Sequence, residues 1–144
     1  MNITLKQLEG SIALKFKKLK ILTPLEKRIL NLHDNIKLNE YTSDDIRFMI
    51  LQGLGLAYLL PIGLNILKEN LLIETSYYEG DLLSAIIKID KTYWFGHEAE
   101  YFNLKHLIKE NEILLNSTLN KKYDVDCELI LNIDSFNQIL NKST

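Results

Sequence analysis

Three carboxylates crowd the stretch "ETSYYEGD", residues 74 to 81, in company with Tyr77, Tyr78 and Gly80. Paired carboxylates can divide acid and base roles, but only in a cleft that perturbs their pKa values. The same residues also suit the mouth of a helix. A Gly–Asp step ahead of "LLSAIIKI" puts Asp81 at an N-cap or in a first turn, where a carboxylate meets unpaired N–H groups and the positive end of the helix dipole. The capping role is the simpler one, and an enzyme built on Glu74, Glu79 and Asp81 is the weaker alternative. Metal chemistry is poorly supplied. His33, His97 and His106 form no HxH or i, i+4 pair, and His97 with Glu98 and Glu100 matches no common ligand spacing. The one thiol, Cys127, follows Asp124 and Asp126, a poor setting for a nucleophile. Nucleophile-elbow and phosphate-loop motifs are absent from the sequence, so no catalytic residue, cofactor, metal or small-molecule substrate is expected.

Binding competes with catalysis as the use of this region. Tyr77, Tyr78, Tyr93, Trp94 and Tyr101 fall within 25 positions that also hold Glu79, Asp81, Glu98 and Glu100. Tyrosine and tryptophan are favoured anchors of protein interfaces, and equally good fillers of a core between helices.

The elements that must carry these residues read as helices. "TPLEKRILNLHDNI" has Thr23 as cap, Pro24 in the first turn, Glu26 three residues after the cap, and an apolar stripe through Leu25, Ile29, Leu32 and Ile36. Thr42 and Asp45 repeat the signature ahead of Ile46, Met49, Ile50 and Leu54. The glycines of "LQGLGLAY" lie inside that helical pattern and suggest close helix packing. Pro61 is expected to open the next helix, burying Ile62, Ile66 and Leu67. Asp81 begins another, with Leu82, Leu83, Ile86 and Ile87 inward. Phe102, Leu104, Leu107 and Ile108 mark a further helix. "CELILNI" fits strand or helix, and Asp134 is expected to start a short terminal helix. The sum is an all-α or mainly α single domain spanning 1–144, a helical bundle with room for one short strand or hairpin near the termini.

Composition sets outer bounds. The chain has 144 residues, 47% apolar and 25% charged, enough for one core without disulfides, which a single cysteine cannot supply. The longest apolar stretch, Leu54 to Leu67, is broken by Gly55, Pro61, Gly63 and Asn65, too short and interrupted for a membrane span. These features indicate a cytoplasmic protein. Net charge is −2, divided as +3 over residues 1–72 and −5 over 73–144. An acidic second half disfavours phosphate binding and favours a basic protein partner. The lysines at 15, 17, 18 and 20 carry the competing possibility, a small nucleic-acid-binding regulator.

The order of residues from 42 to 94 resembles a family of bacterial immunity proteins from contact-dependent growth inhibition systems. The matching positions include Asp45, Arg47, Gln52, Gly55, Pro61, Tyr78, Gly80, Asp81, Leu82 and Trp94. Ile46, Gly63 and Glu79 depart from the leucine, alanine and proline of the family pattern. The resemblance implies a cytoplasmic antidote that binds the C-terminal toxin domain delivered by a neighbouring cell, often a nuclease, and blocks its active site or substrate surface. No membrane or nucleic-acid partner is implied. Residues shared by immunity proteins against different toxins should hold the scaffold, with Arg47 and Asp81 as candidates for an internal ion pair or cap and Pro61 and Leu82 as core. The toxin-facing residues are then expected outside the pattern, at Tyr77, Glu79, Glu98, Glu100 and Tyr101.

Overall fold

The structure, a computed structural model, describes residues 2–16 and 21–140. Three of the four lysines at issue, Lys17, Lys18 and Lys20, lie outside the described residues; Lys15 is exposed on a short 3-10 turn.

The first three helices begin alike. In α1 (Leu5–Glu9), α2 (Pro24–Asn35) and α3 (Ser43–Leu51), a threonine hydroxyl accepts from the N–H three residues on, and the side chain there accepts from the threonine N–H. Thr23–Glu26 and Thr42–Asp45 are the two boxes read from sequence. Each satisfies two N–H groups that a helix start leaves unbonded. In the stripe of α2, Ile29 and Leu32 are buried, whereas Leu25 faces solvent.

The glycines of "LQGLGLAY" end a helix. Gly53 and Gly55 both take positive φ, and α4 (Leu56–Glu69) starts directly after them. Gly55 accepts at its carbonyl from Leu59 at 2.8 Å, closing the first turn of α4. A Cβ on Gly55 would also lie 2.8 Å from Leu5, so this turn serves close packing as well. Because the glycine turn starts the helix early, Pro61 stands inside α4, and it is exposed. It neither opens a helix nor contributes to the core. Leu67 is buried, with Ile62 and Ile66 half-buried against the core.

Helix α5 (Asp81–Ile87) is central: all seven residues are buried, the polar Asp81 and Ser84 among them. It packs on α3, α4 and the last helix. After α6 (Lys91–Phe95) come α7 (Glu98–Glu110), α8 (Glu112–Thr118) and α9 (Asp124–Gln138). "CELILNI" and "DSFNQIL" thus form one continuous helix, and Asp134 caps nothing. Its apolar positions Leu129, Ile133 and Phe136 keep helical spacing across the junction. Among the described residues there is no strand, only isolated bridges at Thr4–Lys37 and Glu74–Glu79.

Trp94, Tyr101 and Phe136 pin the later helices together. Trp94 meets Phe136 edge-on at 5.3 Å, and the Tyr101 ring lies 4.7 Å from Phe136. The Tyr101 hydroxyl donates to the Phe136 carbonyl at 2.6 Å.

Candidate partner-binding surface

The loop from Asn70 to Gly80 leaves α4 with Leu71 and Leu72 buried, then turns back so that the Gly80 N–H reaches the Leu72 and Ile73 carbonyls. Gly80 has φ +87°, and a Cβ there would stand 2.9 Å from Leu129 of α9. Any other residue would meet both a strained backbone and a packed neighbour. The tight return brings Asp81 under its own loop.

Asp81 stands in the first turn of α5, one of its two expected positions, but does not cap it. Its carboxylate accepts from the backbone N–H groups of Thr75 (2.9 Å), Ser76 (3.1 Å) and Tyr77 (3.0 Å), and from the Thr75 hydroxyl at 2.8 Å. Burial works against ionisation. The donors from Tyr77, Ser76 and Thr75 outweigh it and hold the carboxyl below its usual range. One side chain therefore fixes three consecutive backbone positions.

Arg47 approaches the same loop from below. Arg47 and Asp81, expected in an internal ion pair or cap contact, do not pair with each other: the loop amides occupy Asp81, and Arg47 forms its ion pair with Asp44, donating from Nε and Nη2 at 2.9 and 2.8 Å. Its guanidinium lies 4.6 Å from the centroid of the Tyr77 ring. Arg28 extends the network, donating to Asp44 and Asp45 while stacking 3.9 Å from Phe48. Burial again opposes the Asp44 charge, but Arg47, the Ser76 hydroxyl and Arg28 lower its carboxyl below the ordinary value. Thus Arg47 holds the ring of Tyr77 and Asp81 its backbone. Tyr77 is still 69% exposed.

Of the residues expected to face a partner, Glu79 is exposed on this loop and Glu98 on the first turn of α7. Glu100 is half-buried; desolvation raises its carboxyl against the opposing pull of His97. Tyr101 is a correction. It is fully buried, and its rotation into α7 makes it part of the aromatic core, so it offers nothing to a surface. Among the described residues no hydrogen bond, ion pair or ring contact joins the Tyr77–Glu79 group to the Glu98–Glu100 group. They are two patches.

The pattern residues divide by job. Leu82 and Trp94 are core, Asp45 is a capping partner, Gly55 and Gly80 are turns, and Gln52 closes α3 with its N–H on the Phe48 carbonyl. Tyr78 is half-buried and accepts at its carbonyl from the Asp81 N–H. Sequence reasoning did not pick out Arg28 or Thr75 as holders of the site. It also missed His33, which is fully buried with its ring nitrogens 2.6 Å from Glu9 and 2.7 Å from Asp34, tying α1 to α2. Arg28 had a detectable signal, an arginine on the exposed side of a capped helix with two aspartates at the next helix start. His33 had none beyond its type.

These contacts define a small α-helical scaffold whose buried polar groups position one exposed loop. The chain belongs to the CDI immunity proteins: the model of that family matches residues 13–104. It is an immunity protein directed at a toxin of contact-dependent growth inhibition. The match takes in the loop, Arg47, Asp81 and Trp94, and ends within α7. No curated protein matches the chain significantly.

Proposed function

We propose that this protein neutralises its cognate toxin domain by forming a stoichiometric complex in the cytoplasm, covering the toxin's active site or substrate surface, with no catalytic step. The observation that carries this reading is Tyr77, an aromatic residue 69% exposed yet held at its ring by Arg47 and at its backbone by Asp81. An anchor already fixed before binding loses little conformational freedom in the complex, which is how a few residues come to dominate an interface. Glu79 beside it, and Glu98 and Glu100 on α7, supply negative charge in the half of the chain whose net charge is −5. That charge favours a basic target such as a nuclease, speeding encounter and rejecting acidic surfaces.

The test mixes the purified protein with the C-terminal domain of the secreted protein encoded immediately upstream. The expected result is a one-to-one complex by light scattering and loss of the domain's nuclease activity at equimolar inhibitor. Full activity in the presence of excess inhibitor, or no complex, would end this reading.

A further inference from the structure

A cavity of about 450 Å³ opens between α7, α8 and α9. Every residue lining it lies beyond residue 104, where the family match stops. Its floor is apolar, formed by Ile108, Leu115, Leu119 and Ile133. Three lysines, Lys105, Lys109 and Lys121, line the cavity as well. Lys105 is engaged, donating to the Asn137 carbonyl at 3.0 Å. Lys109 and Lys121 have no ion-pair partner among the described residues. Glu112 and Asp134 also line the groove, so three lysines against two carboxylates leave its lining one positive charge in excess. Even so, three of the seven cations in a strongly acidic half gather at this one opening.

We propose that this groove is a docking slot for a segment of the cognate toxin domain that inserts an apolar side chain and presents a carboxylate to Lys109 and Lys121. The proposal rests on the toxin-binding reading above and adds the chemistry of the segment bound. Immunity proteins that share a scaffold must still tell one toxin from another. Discrimination needs contacts that fit one partner and penalise the rest. A slot built wholly from residues outside the shared pattern has that freedom. Its chemistry is also selective. A purely polar segment would leave the apolar floor unfilled and a basic one would face the lysines unfavourably, whereas an apolar side chain next to a carboxylate satisfies both. The apolar floor also lowers the local dielectric, so a carboxylate there meets the ammonium groups more strongly than it would in open water. Acidic patches for a basic surface and a lysine-lined slot for an acidic segment together require two opposite features on one toxin, a sharper criterion than net charge.

The test uses the full chain and the upstream-encoded toxin domain carrying an inactivating substitution, with affinity read by biolayer interferometry. Lys109→Glu with Lys121→Glu reverses the slot charges, and Asn116→Trp fills the opening from an exposed position that lines it. Each is expected to weaken the complex by about tenfold or more while circular dichroism and the melting midpoint stay at wild-type values. The control Lys68→Glu with Lys91→Glu makes the same charge change at exposed sites away from the slot, and should alter affinity by less than about threefold. Slot variants that bind as tightly as wild type, or a control that weakens binding equally, would overturn the proposal. Hydrogen exchange on the unmutated complex guards against misfolded variants: residues 112–119 and 130–137 should slow on binding, and unchanged exchange there also overturns it. A wild-type chain that fails to bind the toxin at all would instead remove the functional reading on which the slot depends.

Discussion

The two ends of the molecule use their polar residues differently. In α1, α2 and α3 every helix start is closed by a full capping box, and Arg28, Asp44, Asp45 and Arg47 form a continuous ion-paired network. In α7, α8 and α9 no helix start has a side-chain cap. Their outer faces expose Phe102, Ile113 and Leu131. In the first region α2 and α3 lie within the family match and α1 precedes it, while most of the second region lies beyond it. Side chains engaged in caps and pairs are fixed by the fold, while uncommitted ones can be shaped by a partner. The loop around Tyr77 lies between these extremes, since internal polar contacts fix it and its aromatic tip stays free.

The contrast can be broken most forcefully at the residue that packs α7 against α9. Trp94→Ala should destabilise the protein by about 3–5 kcal/mol, because the indole packs on both Tyr101 and Phe136 and its loss leaves a cavity. Urea unfolding followed at far-UV and near-UV wavelengths would check this; a loss under about 1 kcal/mol would mean α9 is held elsewhere.

Asp81→Asn tests whether the loop is fixed from inside. An amide cannot accept from all four donors and brings a donor of its own, so about 1–3 kcal/mol of stability should be lost. The wild-type carboxyl sits below its ordinary value when folded, so its contribution is present above about pH 4 and declines as the pH falls through the folded value. The variant should accordingly lose less stability than wild type on acidification below about pH 4. Parallel acid titrations for the two proteins would contradict the assignment.

Tyr77→Ala should do the reverse of Asp81→Asn. Stability should change by no more than about 0.5 kcal/mol, as for other exposed positions, while toxin affinity falls about tenfold. Calorimetric titration gives the affinity and differential scanning calorimetry the stability. A variant that unfolds more easily but binds normally would place Tyr77 with the scaffold.

The smallest effect is expected at Glu79, which stands where the family pattern has proline. Its N–H makes no hydrogen bond among the described residues, so Glu79→Pro should raise stability by about 0.4–1 kcal/mol by restricting the unfolded chain. Removing a surface carboxylate should also slow toxin association at low salt, measured by stopped flow. An unaltered rate would show that this charge does not steer the encounter.

Helical identity was legible in the sequence because it rests on local signals. Thr23–Glu26, Thr42–Asp45 and the apolar spacing of α5 each act over one or two turns. Breaks were harder to read. Gly53 and Gly55 continue the apolar period of α3 while their backbone leaves it, and with that turn missed, Pro61 looked like a helix start. Asp134 failed for a related reason: a capping residue type was present, but the helix was already running. At the site, exposure of Tyr77 and Glu79 followed from their lying outside the shared pattern. The burial of Tyr101 did not, because it depends on the rotation of α7 against Phe136, 35 positions away. Long-range pairings such as Arg47 with Tyr77 leave no trace in local spacing.

The Tyr101 hydroxyl has a consequence for how such proteins diversify. It grips the Phe136 carbonyl near one end of α9, while Leu129, nearer the other end, closes over Gly80. Both receiving residues, Tyr101 and Gly80, lie within the family match. The last helix is therefore a cartridge seated in two sockets supplied by the common frame. Its outward positions, Leu131 and Asp134 among them, can be rewritten for a new antagonist while the sockets stay unchanged.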